Sequence, residues 1–242
     1  MTILIIATLL LILHWVLEYR RHSRNVAAIP IRIHVNGTRG KSSVTRLIAA
    51  GLRAGGKRTI AKITGTLPRV VLQDGREAAI IRLQGANIIE QKYIFRSAVA
   101  MKPEAIVVEC MAVNPVFQWI TERKFVKSTI SVITNCRPDH LDLMGSTVQS
   151  VTMSLANTIP VGGVCYTAET HMFSILKHVA DHRKCKIHQI LPTDVTDQEM
   201  AKFATSNTKT MCSWPWQCAR KRASPAMWRS KACKARTPIP EP

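Results

Sequence analysis

One stretch limits what this chain can become more than any other: Ile31-Arg32-Ile33-His34-Val35-Asn36-Gly37-Thr38-Arg39-Gly40-Lys41-Ser42-Ser43. It reads as a buried strand, a tight glycine loop and the first turn of a helix. Gly37 and Gly40 let successive backbone N–H groups point inward and form a cradle for an anion. Lys41 adds a mobile positive charge, the Ser42 hydroxyl is placed to hold Mg²⁺, and the helix start adds its dipole. The pattern G-x-x-G-K-S is two residues shorter than the common phosphate loop G-x-x-x-x-G-K-[ST]. A plain glycine turn with a surface lysine is the ordinary alternative. The strand before and the helix after favour a phosphate site built from Gly37, Thr38, Arg39, Gly40, Lys41, Ser42 and Ser43.

Further polar groups gather at the ends of apolar runs. After the loop, Val44, Leu47, Ile48 and Leu52 recur at helical spacing, and Gly55-Gly56 stops that helix. A short strand over 57–61 runs into Lys62-Ile63-Thr64-Gly65-Thr66, where Thr64 and Thr66 either touch phosphate or substrate or merely make a turn. A helix is expected over 87–101. The run Ala105-Ile106-Val107-Val108 is typical of a buried parallel strand and ends at Glu109, a carboxylate suited to Mg²⁺ directly or through water. The strand over 128–134 leads into Asn135-Cys136-Arg137-Pro138-Asp139-His140-Leu141-Asp142. A lone histidine there is usually structural. With two aspartates beside it, and the glycine loop and Glu109 on the same sheet edge, His140 reads as a ligand. Later segments alternate: helix 148–158, strand 163–167, helix 170–182, strand 186–191. This order indicates an α/β domain with a parallel sheet flanked by helices. His178 and His182 stand at i,i+4, a metal-capable spacing, but without a third ligand they read as exposed residues.

At 242 residues and 46% apolar content, the chain has room for one large domain plus appendages. Met1 to Leu17 is almost wholly apolar, near the short end of the ~17–25 residues that span a bilayer. Arg20, Arg21 and Arg24 follow it, the reverse of a secretory signal's charge order. The expectation is an uncleaved transmembrane anchor over 1–19, a basic juxtamembrane linker over 20–30, and a cytoplasmic body on a single-pass membrane protein. A buried or interfacial helix is the alternative. The net charge of +19 does not indicate nucleic acid: the basic residues are scattered and aromatics are only 5%. A membrane surface or an acidic substrate accounts for it as well. Cysteines 110, 136, 165 and 185 form no CxxC pair and read as reduced core thiols.

These motifs resemble a known family. The loop at 37–43 and Asn135-x-x-x-Asp139-His140-Leu141-Asp142 are similar to the G-[TI]-x-G-K-[ST] and N-x-x-x-D-H-x-D motifs of the Mur ligase and folylpolyglutamate synthase superfamily. More closely, the chain resembles the ATP-dependent ligase subunits of poly-γ-glutamate synthases. That likeness is carried by the apolar N-terminus, the loop, Thr64-Gly65-Thr66, Gly85 to Lys92, Glu109-Cys110-Met111-Ala112-Val113-Asn114-Pro115, and Asp139 to Gly145. It runs from residue 1 to about 208. One departure is Ile63, where the family pattern has threonine.

The resemblance implies a Mur-ligase-like central domain over 31–208 and an ADP-forming acid–amino-acid ligase using ATP and Mg²⁺. Lys41 is then expected on the β,γ-phosphates, with Lys41 and His140 as catalytic groups and Ser42, Glu109 and His140 as Mg²⁺ ligands. Implied partners are glutamate or a poly-γ-glutamate chain, other membrane subunits of the synthase, and the membrane itself. A folate or cell-wall peptide ligase is a second reading. A non-catalytic, membrane-anchored nucleotide-binding scaffold is a third.

The last segment changes character. Residues 209–242 hold three of the five tryptophans and three of the seven cysteines, with eight Lys/Arg against one acid and no structural period. Taking the third base of each codon with the first two of the next, this tail can be read as Asp-Asn-Val-Leu-Leu-Ala-Leu-Ala and onward. That is an amphipathic helix resembling a family segment whose asparagine helps hold adenine. The expectation is a frameshifted, unpacked tail, a missing C-terminal domain and reduced or absent ligase activity. Sequencing the transcript across codons 205–215 tests this; a single clean frame overturns it.

Overall fold

The computed structural model describes residues 1–65, 67–82 and 85–191. The expectations for Thr66, for the end of the 31–208 domain and for the 209–242 tail lie outside the described residues.

The sheet grows from β1 (Ile31–Asn36), whose residues alternate between two buried faces. Ile31, Ile33 and Val35 pack with Val44, Ile48 and Leu52 of α2 (Lys41–Ala54), so three of the four residues read at helical spacing form the stripe that meets the sheet, while Leu47 is only partly buried. Burying each such side chain contributes about 1.5–3 kcal/mol. β1 lies between β5 (Ala105–Glu109) and β6 (Ile130–Ile133), parallel to both. Beyond β5 comes β2 (Thr59–Ile63); beyond β6 come β7 (Val164–Thr167) and β8 (Lys186–Gln189), all parallel. A hairpin of β3 (Arg69–Val71) and β4 (Glu77–Ala79) closes the β2 side antiparallel. The full order is β4-β3-β2-β5-β1-β6-β7-β8. Chain direction across the sheet reverses around β1, where an open parallel sheet has its ligand crevice.

Helices cover both faces. α3 (Glu90–Ala100) and the end of α1 (Thr2–Ala27) pack through Val26, Phe95 and Ala98 on Ile60, Ile106 and Val108. α6 (Val148–Leu155) and α7 (Phe173–His182) pack on Ile133 and Cys165. Between β5 and β6 run α4 (Pro115–Ile120) and a π-helical turn, Thr121–Val126. A short α5 (Leu141–Met144) follows β6.

Three features go beyond what the sequence expectations describe. β2 extends through Lys62 and Ile63, both buried, so the loop begins only at Thr64. The basic stretch expected as a linker over 20–30 is helical as far as Ala27: α1 continues through it, and His22 and Val26 are buried against the body. The 67–82 segment forms the hairpin, turned at Asp74-Gly75, a local signal that the periodicity alone does not use. The four described cysteines form no disulfide and are buried, as expected of core thiols, and burial pushes Cys136 and Cys185 up to about 12. His178 and His182 are exposed on α7.

Candidate active site

The glycine loop leaves β1 at its carboxyl end and is fixed from both sides. Gly37 has φ of +131°, and a Cβ there would stand 1.9 Å from Thr134 Oγ1, so the loop can pass Thr134 only as glycine. Gly40, at φ +81°, starts α2 without a side-chain cap, which leaves the first-turn N–H groups to face an anion. Asn135 clamps the loop. Its backbone carbonyl accepts from the Thr38 N–H at 3.1 Å, and its Oδ1 accepts from Thr38 Oγ1 at 2.5 Å and the Arg39 N–H at 3.2 Å. Lys41 folds back over the loop, donating to the Gly37 and Thr38 carbonyls at 2.7 and 3.2 Å. Ser43 and Arg39 are exposed.

Glu109 lies at the carboxyl end of β5, 3% exposed. Ser42 Oγ donates to its two carboxylate oxygens at 2.9 and 3.0 Å, and the Thr64 N–H donates to Oε2 at 2.8 Å. One carboxylate thus joins the helix start, the β5 end and the loop after β2. Thr64 enters the site by its backbone rather than its hydroxyl. His140 begins α5 in a left-handed conformation, with its ring 3.9 Å from Asp139 and half exposed; it makes no hydrogen bond to Ser42 or Glu109. Asp139 lies 3.7 Å from Arg39, so this loop meets the glycine loop through Arg39 and Asn135.

Two buried networks support this edge. The first runs along the opposite face of β1. Arg32 Nε donates to the Lys127 carbonyl at 2.9 Å, His34 Nδ1 pairs with Glu122 Oε2 at 2.7 Å, and Asn36 Nδ2 donates to Gln118 Oε1 at 2.8 Å. Every second strand residue meets the α4–π segment at 118, 122 and 127, and the longer second step falls in the π turn. Burial works against charge on His34, but hydrogen bonding to Cys110 and Glu122 outweighs it and holds the ring up at about 9. Its Nε2 has no partner of good hydrogen-bonding geometry, with the Cys110 thiol beside the ring. Glu122 also accepts from the Ser128 N–H and Oγ, each at 2.9 Å.

The second network lies at the end of β2. Lys62, fully buried, pairs with Glu90 at 2.6 Å, and Arg82 holds the same carboxylate at 2.6 and 3.1 Å. Burial pushes the Lys62 ammonium down. Burial also opposes charge on Glu90, yet the bonds from Arg82 and Lys62 outweigh it and keep its carboxyl below the usual range. Neither network was read from the sequence. The alternation of Arg32, His34 and Asn36 in an otherwise apolar strand is the signal for the first. The Asn114-Pro115 pair marks the helix that meets it, since Asn114 Oδ1 accepts from the Val116 N–H at 2.9 Å.

A family model of the Mur ligase middle domain matches residues 35–219. The chain belongs to that family. Two curated relatives of this Mur ligase domain are PGA synthase CapB of Bacillus subtilis (strain 168) and capsule biosynthesis protein CapB of Bacillus anthracis. The first is 38% identical over 205 residues, 84% of this chain and 52% of the relative. The second is 35% identical over 200 residues, 82% of this chain and 43% of the relative. The chain thus spans about half the length of the curated relatives it matches. The fold is that of solved ligases. E. coli FolC in complex with ADP aligns with TM-score 0.56 at 17% identity, covering 71% of this chain and 45% of that one. The folylpolyglutamate synthase/dihydrofolate synthase of Yersinia pestis, complexed with AMPPNP and Mn ion, aligns with TM-score 0.53 at 19% identity, covering 71% and 46%.

The donor chemistry of this Mur ligase domain suits a hard divalent cation. A hydroxyl and a buried carboxylate already share a hydrogen bond beside the glycine loop, and Mg²⁺ takes one or two such oxygens together with substrate phosphates. Among the described residues no cluster of three His, Cys, Asp or Glu forms a separate metal site.

Proposed function

We propose that this chain is the nucleotide-binding domain of a membrane-anchored, ATP-dependent amide ligase that extends poly-γ-glutamate. The observation that carries the reading is Glu109 bridging Ser42 and Thr64 beside the Gly37–Ser43 cradle. A carboxylate and a hydroxyl side by side next to that loop are oxygen donors of the kind a cation bound to nucleotide phosphates takes, which supports the reading. The substrate class comes from the relatives named for PGA synthase and capsule biosynthesis.

In this reading Gly37, Thr38, Arg39, Gly40 and Ser43 cradle the nucleotide phosphates through their backbone, and Lys41 turns from the Gly37 and Thr38 carbonyls to the β,γ-phosphates. Ser42 and Glu109 would hold Mg²⁺, with His140 completing the set on the loop after β6. The cation, when bound, neutralises charge developing on the phosphates. A glutamate γ-carboxylate oxygen attacks the γ-phosphorus, the bond to the β-phosphate bridging oxygen breaks, and ADP leaves an acyl phosphate. The amine of a second glutamate then attacks that carbonyl, phosphate departs with the bonding pair, and the amine loses a proton. The apolar part of α1 is long enough to anchor the domain in a membrane, where other synthase subunits are its partners.

The test is ATP binding and glutamate-dependent ADP release by the full chain, compared with Lys41→Ala. Binding that depends on Lys41, with ADP release on adding glutamate, supports the reading. Lys41-dependent binding without ADP release leaves a nucleotide-binding scaffold, and equally weak binding by both proteins overturns the site.

A further inference from the structure

We propose that the carboxyl edge of the sheet, which carries the glycine loop, Glu109 and His140, faces the bilayer at headgroup depth, with the apolar part of α1 as a fixed post beside it. This rests on the anchor reading above and adds a direction and a distance to it.

Direction follows from the contacts of α1. Glu18 pairs with Lys92, His22 packs edge-on against Phe95 with ring centroids 5.9 Å apart, and Val26 joins the cluster containing Phe95 and Ala98. Partners climb α3 in the same order as residues climb α1, so the two helices run parallel. Helix α3 begins at the carboxyl edge, because its first residue, Glu90, lies 2.6 Å from Lys62 near the carboxyl end of β2. It ends at Ala100, just before β5 begins at Ala105. The amino-terminal end of α1 therefore projects the way the parallel strands point. From Thr2 to Leu17 it extends roughly 24 Å past the Glu18–Lys92 level, at about 1.5 Å per residue.

The post is seated on two elements. Besides α3, the π turn and its end hold it: the Phe125 carbonyl lies 3.0 Å from His22 Nε2, and Lys127 Nζ donates to Ser23 Oγ at 3.4 Å. With Leu17 at the hydrocarbon boundary, the loops at the carboxyl edge fall within the headgroup layer. That layer is about 5–8 Å per leaflet, the difference between about 30 Å of hydrocarbon and about 40–45 Å overall.

The surface gives a second, independent observation. Leu67, Ile81, Ile89, Val116, Phe117 and Leu141 are exposed, and all six stand on loops or first turns at the carboxyl edge. Leu67 is 65% and Ile81 83% exposed. On the loops of the opposite edge, the exposed large apolar residues described are Met101 and Val161. Apolar surface gathered on one edge marks an interface, and here it continues directly into the apolar length of α1. Exposed Arg39 and Arg137 on the same edge suit anionic headgroups. The occupant is accordingly the lipid surface itself. ATP then enters sideways, along the headgroup layer, and the polymer is extended at the membrane face.

The test places a photo-crosslinking residue in the full chain bound to vesicles of phosphatidylcholine and phosphatidylglycerol, as Ile81→benzoylphenylalanine, Phe117→benzoylphenylalanine or Val161→benzoylphenylalanine. Flotation with the vesicles reports anchoring, and adducts with phospholipid report orientation. All three proteins are expected to float, with lipid adducts at 81, 117 or both and none at 161. Floating protein with adducts at 161, or at none of the three positions, overturns the orientation and leaves the anchor standing. Protein that does not float overturns the anchor, and the orientation with it.

Discussion

Asn36 donates its side-chain amide to Gln118 Oε1 at 2.8 Å in a region where neither side chain reaches solvent. Gln118 in turn donates to the Val113 carbonyl at 2.8 Å and Ser154 Oγ at 3.0 Å, so one pair ties β1, α4 and α6 together one residue before the glycine loop. Asn36→Ala removes the donor and strands a buried acceptor, at a cost of about 1–3 kcal/mol. Urea unfolding is expected to show that loss for Asn36→Ala and for Gln118→Ala. The double variant should lose less than the two combined, since both remove one contact. Full additivity would show the pair to be uncoupled.

Gly37 and Gly56 both have positive φ, but their surroundings differ. A Cβ at Gly37 meets Thr134 Oγ1 at 1.9 Å and the Thr134 backbone nitrogen at 2.9 Å, whereas one at Gly56 meets nothing within 4 Å. Gly56→Ala should cost only the left-handed strain, about 1–2 kcal/mol, with nucleotide affinity unchanged. Gly37→Ala should displace the loop and abolish ATP binding. Thr134→Ala should not restore binding, because the backbone clash remains. Isothermal titration with ATP on the three variants checks this.

Lys62 and Glu90 are partners of unequal dependence. Glu90 keeps Arg82 when Lys62 is lost, whereas Lys62 has no second carboxylate among its described contacts. Glu90→Ala should therefore destabilise by about 3–5 kcal/mol, the cost of an uncompensated buried charge, and Lys62→Met by clearly less. Thermal unfolding of the two variants side by side decides it; equal losses would refute the asymmetry.

The His34–Glu122 pair predicts a pH dependence. His34 is held up at about 9 in the fold, against about 6.5 for a free imidazole. The folded state thus binds its proton more tightly than the unfolded state. The stabilisation is fully present below about pH 6.5 and is lost as pH rises through about 9; the shift corresponds to on the order of 3 kcal/mol at most. Urea unfolding between pH 6 and pH 10 should show this loss in the parent protein. Glu122→Gln should be less stable at low pH and flatter across the range.

What the sequence conveyed and what it hid separate along physical lines. Backbone conformation at the site was legible because glycine spacing, a following Lys-Ser pair and apolar runs are local signals; α2 and β5 appear where Val44 to Leu52 and Ala105 to Val108 placed them. Glu109 was legible because it ends an apolar run. The partners of Asn36, His34 and Lys62 were not, because they lie 82, 88 and 28 residues away and depend on which strand faces which helix. Lys62 falls in the expected loop because the small, hydroxyl-bearing run that follows it reads as one; the Glu90 carboxylate that permits the burial of this lysine lies on another element. The course of α1 past Leu17 was hidden by its arginines, which look like a boundary in composition but leave the His22 and Val26 face free to pack.

That packing also sets an order of assembly. Synthesis runs from the amino terminus, so His22 and Val26 leave the ribosome long before their seat exists. Phe95 comes later, and the Phe125 carbonyl that meets His22 follows 103 residues behind it. Until then the inner face of α1 has nothing to close against. α1 is thus made before its seat and is among the last of the described elements to be fixed, so the rest of the domain condenses around a post that has been waiting for it.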